Sequence, residues 1–278
     1  MLLIKRKADL VQWLDKQRSE GRSIGFVPTM GALHAGHISL IDISKKGTET
    51  TVCSIFVNPT QFNDPKDFQK YPITIENDIL LLEQAGVDVL YLPEVPDIYP
   101  DGIKDLEKYD LGSLESLLEG AFRPGHFQGV CQVMRLLEAV RPDQLFMGQK
   151  DYQQCMVVHR LLEIIGLPTR LVPCPIVREK DGLAMSSRNM RLSEDQRRTA
   201  TTIHQALTRI KEGWQKGEKT DRLIKSATSL LEEKGFRVDY VSIADPMTLE
   251  PVQRSEVPAV ALVAAFLGEI RLIDNMTL

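Results

Sequence analysis

The sequence is poor in the features that mark special environments. Its four cysteines, Cys53, Cys131, Cys155 and Cys174, stand far apart, with no Cys-x-x-Cys pair and no histidine at zinc-finger spacing. That argues against a disulfide framework and against a structural zinc. No segment approaches the roughly 20 apolar residues of a membrane span, and Met1 to Leu14 lack the apolar stretch of a signal peptide. No membrane partner and a cytoplasmic location are therefore expected. Neither charge sign dominates: 34 Lys and Arg face 38 Asp and Glu, for a net charge of -4. Without a basic field, nucleic acid is not expected as a partner, and any polyanion site must be local. Gly-Lys-Ser and Gly-Lys-Thr are missing, which excludes a lysine-containing phosphate loop. No internal repeat or low-complexity tract is visible.

What is present is an alternation of short β-branched runs with longer helical patterns across 278 residues, of which 43% are hydrophobic. Strands are predicted over residues 23–28, 50–57, 87–92, 144–147 and 170–177, and helices over 38–46, 75–85, 127–140 and 152–165. Such alternation specifies an α/β fold, a Rossmann-like doubly wound parallel sheet. Beyond Val177 the pattern changes to a charged helical stretch over 193–234, interrupted near 213–219, and then to strand-like runs at 240–244, 259–266 and 271–273. This predicts a smaller C-terminal α+β domain with an antiparallel sheet. The expected division is 1–177 for nucleotide and substrate and 178–278 for a domain that closes over the nucleotide.

Four constellations carry chemistry. Pro28-Thr29-Met30-Gly31-Ala32-Leu33-His34-Ala35-Gly36-His37 lies between the first predicted strand and the first predicted helix, where nucleotides bind in doubly wound folds. Exposed amides at the helix start are expected to attract phosphate. His34 and His37, three apart, are expected on one face of the first turn, both donating to phosphate oxygens. Asn58-Pro59-Thr60-Gln61 ends the second strand and offers amide donors and acceptors to a polar substrate. Gly148-Gln149-Lys150-Asp151, followed by Gln154, again joins a strand end to a helix start, with Lys150 placed to neutralise phosphate charge. Met185-Ser186-Ser187-Arg188, downstream of Val177, supplies two hydroxyls and a guanidinium. Each peptide alone also reads as a turn or a helix cap. Arg123 and His126 form a weaker candidate pair in a turn before a helix. No Ser-His-Asp arrangement is recognisable.

In this order and spacing, the four motifs resemble the pantothenate synthetase family, members of the nucleotidyltransferase superfamily with its His-x-Gly-His signature. The resemblance spans nearly the whole chain and is strongest over 28–189. It implies ligation of pantoate to β-alanine at the expense of ATP, through a pantoyl-adenylate and with Mg2+, by a homodimer. It also implies that ATP is held by Met30, Gly31, Ala32, Leu33, His34, Ala35, Gly36, His37, Gly148, Gln149, Lys150, Asp151, Val177, Met185, Ser186, Ser187 and Arg188. His37 matches the family's catalytic histidine, and His34, Lys150, Ser187 and Arg188 are expected to act beside it. Gln61 matches a ligand of both pantoate and β-alanine, Gln154 a pantoate ligand, and Asn58 is expected beside them; no metal ligand is identified. The chain departs from the family at Gln149, where glutamate is usual, and at Gln132 and Arg135, where threonine and lysine are usual. Three rivals are opposed in turn by the Gln61 and Met185–Arg188 motifs, by the net charge of -4, and by the intact His37, Lys150 and Arg188. These are an adenylyltransferase that stops at AMP transfer, a fragment of a class I aminoacyl-tRNA synthetase, and a catalytically silent nucleotide-binding module.

Overall fold

The computed structural model describes residues 1–62, 68–104, 106–253 and 257–278. The polar segment 62–71, whose Asn-Asp-Pro-Lys-Asp core leads the sequence reading to expect a lid that orders over the site, lies in part, at 63–67, outside the described residues. The chain divides into two compact units. The first comprises Met1–Glu115, Arg123–Gln149 and Gln154–Pro175, and the second Ser116–Phe122, Lys150–Gln153 and Ile176–Leu278.

The first unit is built on six strands: β1 (Leu2–Ile4), β2 (Ile24–Thr29), β3 (Thr50–Ile55), β4 (Val89–Tyr91), β5 (Gln144–Gly148) and β6 (Arg170–Cys174). They form one sheet in the order β1-β4-β3-β2-β5-β6, with all pairings parallel. Strand side chains alternate between faces, so a parallel sheet buried on both sides needs apolar residues at successive positions. Ile24, Phe26, Val52, Tyr91, Leu145 and Met147 enter one cluster with Leu10, Leu14, Val130 and Leu161 from helices. Val27, Cys53, Ile55, Leu90 and Phe146 enter another, with Leu40, Ile41 and Leu82. The two clusters are the two faces of a doubly wound sheet. Burial pushes the Cys53 and Cys131 thiols up to about 12 and Cys174 up to about 11, so these cysteines are inert core groups at neutral pH.

Three local expectations shift. A helix over residues 127–140 was expected as one element, but it divides into His126–Val133 and Leu136–Val140. Around Met134 to Glu138 the backbone bonds tighten to the i→i−3 pattern, which interrupts an α-helix. The helix expected from residue 38 begins at Ala35. Strand β1 was not anticipated, because its three residues, two of them exposed, present no readable alternation.

The second unit carries β7 (Phe236–Ala244), β8 (Val260–Leu267) and β9 (Ile270–Thr277), antiparallel in the order β7-β8-β9. Helix Thr202–Gln215 buries Ile203, Ala206, Leu207, Ile210 and Trp214, and helix Thr220–Glu233 buries Leu223, Ala227 and Leu231. These recurrences, three or four apart, make the apolar stripes that pack with Ala261, Val263, Ala265 and Leu272. Arg271 is on the opposite face, since it alternates with Leu272, and there it meets Ser116–Phe122. It donates to both Glu119 carboxylate oxygens at 2.7 Å and to Asp239 at 2.8 Å, and Tyr240 Oη donates to Glu119 at 2.8 Å. No helix among the described residues is long and apolar enough to cross a membrane.

Candidate active site

The order β3-β2-β5 puts β2 at the point where successive connections run to opposite sides, and ligands of open α/β sheets collect beyond the strand ends there. The segment leaving β2 at that point contains the His-x-Gly-His motif. Gly31 has φ +80° and Ala32 φ +48°, a left-handed turn that glycine adopts readily and alanine seldom does. The turn is held by Asp78, a fully buried residue of helix Ile75–Gln84. One carboxylate oxygen of Asp78 accepts from Ala32 N at 2.9 Å and the other from Leu33 N at 2.8 Å, while Thr74 Oγ1 donates at 3.1 Å. Gly31 N donates to Thr29 Oγ1 at 3.2 Å. The amides of Ala32 and Leu33, ahead of the helix start, are therefore engaged by a carboxylate of the protein itself.

The histidines also differ from the expected placing. His34 is not on the first turn; it is the extended residue that caps helix Ala35–Gly47. Its Nδ1 accepts from Gly36 N at 3.1 Å, and His37 Nδ1 accepts from His34 N at 3.3 Å. The rings are nevertheless brought together, with centroids 4.1 Å apart. A nitrogen that accepts from a backbone N–H carries no proton, so each neutral ring bears its hydrogen on Nε2. The caps thus turn two imidazoles into a fixed pair of Nε2–H donors.

Beyond β3, Asn58 is fully buried and Gln61 nearly so. Asn58 Oδ1 accepts from Tyr99 Oη at 2.7 Å and from Thr60 N and Oγ1, while its Nδ2 donates to Gln61 Oε1 at 3.0 Å and to Gly129 O at 3.0 Å. Because Gln61 Oε1 is the acceptor in this chain, Gln61 presents its amide NH2 as the donor end. Its main-chain oxygen accepts from His126 Nδ1 at 2.9 Å. A Cβ on Gly129 would lie 2.0 Å from Thr60 O, so only glycine allows helix His126–Val133 to approach this turn. Asn58, expected to touch substrate, instead spends its amide on orienting Gln61. Gln154, on helix Tyr152–Ile165, is half-buried, and Gly148 closes β5 just before Gln149.

In the second unit, Lys150 and Asp151 lie on the one-turn helix Gln149–Asp151, with Lys150 Nζ 3.9 Å from Asp151 Oδ2. Val177 and Met185 are brought side by side: Met185 N donates to Val177 O at 3.0 Å, closing a hairpin in which Arg178 pairs with Ala184. Ser186 caps the turn Ser187–Arg191 through Arg188 N, and Ser187 is buried. Ser193, not Ser186, caps the charged helix Glu194–Ala200, with Gln196 completing the box.

Sequence reading missed Asp78, Tyr99 and Gly129. A signal for Asp78 existed, because it falls on the Ile75, Ile79, Leu82 stripe that the helical period assigns to the interior. Of the three departures from the family pattern, Gln132 is buried and its Nε2 donates to Glu107 O, Arg135 precedes helix Leu136–Val140, and Gln149 opens the Lys150 turn.

The sequence model of the pantoate-beta-alanine ligase family matches residues 2–277. A pantothenate synthetase of Caldicellulosiruptor bescii is 41% identical over 279 residues, which cover 99% of this chain and 98% of that protein. One of Acidobacterium capsulatum is 47% identical over 260 residues, covering 92% and 86%. Among solved structures, the pantothenate synthetase from Thermus thermophilus matches with a TM-score of 0.93 at 40% identity over 99% of each chain. The pantoate-beta-alanine ligase from Francisella tularensis, in complex with beta-gamma ATP and beta-alanine, matches with a TM-score of 0.84 at 34% identity over 100% of this chain and 97% of that one.

Proposed function

The chain belongs to the pantoate–β-alanine ligase family, and from that premise we propose that it joins pantoate to β-alanine through a pantoyl-adenylate, consuming ATP and releasing pyrophosphate and AMP. The ATP compound and β-alanine in the Francisella relative support the choice of co-substrates. The observation that carries the reading is the capped imidazole pair beyond β2, in which both Nδ1 atoms accept from backbone N–H groups, an arrangement that assigns the hydrogen of each neutral ring to Nε2.

The first step sets one anion against another. Pantoate's carboxylate is ionised near neutral pH and needs no base to attack the α-phosphorus. The barrier is charge accumulation on the phosphoryl oxygens and on departing pyrophosphate, which fixed donors relieve without reorganising. His34 and His37 Nε2–H are assigned to that role, together with Lys150, Ser187 and Arg188. ATP contacts are assigned across Met30–His37, Gly148–Asp151, Val177 and Met185–Arg188. Gln61, oriented by Asn58, points a donor at pantoate oxygens, and Gln154 is assigned to the same substrate. Among the described residues there is no cluster of three or more His, Cys, Asp or Glu suited to a metal. Mg2+ would be carried in with the ATP phosphates, beside Lys150, Ser187 and Arg188, and would supply neutralisation of phosphate charge. In the second step β-alanine, whose amine must shed a proton before attacking the acyl carbon, displaces AMP. A cytoplasmic homodimer is the state we assign to the enzyme.

The test is AMP release from purified protein with ATP, pantoate and β-alanine, each omitted in turn, followed by exchange of labelled pyrophosphate into ATP. Pantoate-dependent exchange without β-alanine is the expected result. Normal turnover with no such exchange would overturn the two-step order.

A further inference from the structure

Strand β9 carries two polar residues where its cross-strand neighbours are apolar. Asp274 pairs with Val263 of β8, and Asn275 with Leu262; Asp274 is 5% and Asn275 2% exposed. Burying an Asp–Arg pair is a poor source of stability, since desolvation offsets much of the attraction. An apolar pair would suit the sheet at least as well, so what these side chains hold is informative. Consecutive strand residues point to opposite faces, and each of the two holds a different segment.

Asp274 accepts from Arg178 Nη1 at 2.6 Å and from Arg178 Nη2 at 3.0 Å. The same guanidinium donates to Gly182 O at 3.1 Å and to Asn275 O at 3.2 Å. It therefore ties both arms of the hairpin that pairs Arg178 with Ala184 and Val177 with Met185. Asn189, just past Arg188, donates back to Ala184 O at 3.0 Å. On the other face, Asn275 Nδ2 donates to the Lys150 main-chain oxygen at 2.9 Å. Lys150 has a long flexible side chain, so the volume its ammonium can reach is set by where that backbone is pinned.

We propose that the Asp274–Asn275 step of β9 is a positioning element for the reaction, fixing the Lys150 backbone on one face of the strand and the base of the Met185–Arg188 segment on the other. Two cation-bearing segments, distant in sequence, are thereby referred to adjacent residues of one strand. That strand is itself held by β8 pairing from Ile270 to Thr277. Both residues act here through the segments they hold, as positioning residues. Loss of either contact displaces a group that must meet a phosphoryl oxygen, and misplacement by about 1 Å is enough to cost on the order of a hundredfold in rate.

The inference rests on the reading of Lys150 as an ATP phosphate ligand, and the experiment separates the two. Full-length Asn275→Ala, Lys150→Ala, His37→Ala and the two double variants with Asn275→Ala are assayed by pyrophosphate exchange, with thermal unfolding recorded in parallel. Asn275→Ser, which keeps a shorter donor, replaces Asn275→Ala if the latter does not fold. The expected result is a fall in kcat of about tenfold for Asn275→Ala, with KM for pantoate unchanged. That loss shrinks to less than about twofold in the Lys150→Ala background and persists in full in the His37→Ala background, because coupling is confined to groups that share a contact. Equal losses in both backgrounds, or wild-type kcat in Asn275→Ala, overturn the positioning role. Wild-type turnover by Lys150→Ala removes the Lys150 assignment and this inference with it.

Discussion

Asp78 is the residue whose replacement tests the loop leaving β2 most directly. Its carboxylate is fully buried and accepts from Ala32 N, Leu33 N and Thr74 Oγ1 at 2.8–3.1 Å. Asp78→Ala leaves two amides in the interior without acceptors, and each such orphan costs about 1–3 kcal/mol. The sum is about 4 kcal/mol before any relaxation. At roughly 2–4 °C per kcal/mol for chains of this size, the first unit should unfold about 10 °C lower. Asp78→Asn retains one oxygen for one amide but turns an NH2 toward the other, so about half that loss is expected. Activity should fall further than stability. The Gly31–Ala32 turn, at φ +80° and +48°, leads directly into the His34 cap, so releasing it lets the imidazole pair drift. Calorimetry paired with pyrophosphate exchange at saturating pantoate reads both effects, with kcat/KM for ATP down on the order of a hundredfold. Should Asp78→Asn keep both the wild-type midpoint and the wild-type kcat/KM, the loop holds its own shape and the argument fails.

His37→Ala should fold with a modestly lowered midpoint, having lost the acceptor for His34 N, and lose on the order of a hundredfold in exchange rate; undiminished exchange would remove His37 from the chemistry. Tyr99→Phe deletes the donor to Asn58 Oδ1 and should raise KM for pantoate by about tenfold, the equivalent of one lost hydrogen bond, measured by initial rates; an unchanged KM means that Thr60 alone orients the amide. Gly129→Ala places a methyl 2.0 Å from Thr60 O, an overpacking against backbone that should cost about 3 kcal/mol in denaturant unfolding. The His204 pKa is lowered from 6.5, first by burial and then by Arg178, with Asp274 opposing. The unfolded chain therefore binds the proton more readily, and stability should decline as pH drops from 6.5 through the lower folded value. His204→Gln should flatten that decline, and an identical pH profile would count against it.

Much of this was legible because its causes are local. Strands β2 to β6 and helices 75–84 and 152–165 follow from apolar spacing within a few residues. The His-x-Gly-His peptide could be placed between strand and helix for the same reason. Helix 126–140 was legible as helical but not as broken, since no glycine or proline marks the tightening at Met134.

What each motif residue touches was not legible. Ala32 and Leu33 give no sign in the sequence that their amides are held by Asp78, 46 and 45 residues away. Asn58 looks like a substrate ligand until Tyr99 and Gln61 claim both ends of its amide. Arg178 and Asp274 stand 96 residues apart, and nothing in either neighbourhood announces the pair. The sequence by itself determined the fold class, the family and the positions of the reactive peptides, because periodicity, turn chemistry and motif order act over short stretches of chain. Tertiary structure alone decided which donors are already engaged and which are presented, because a polar atom takes whatever acceptor packing brings within about 3 Å, and that partner is chosen by how distant segments close over the core.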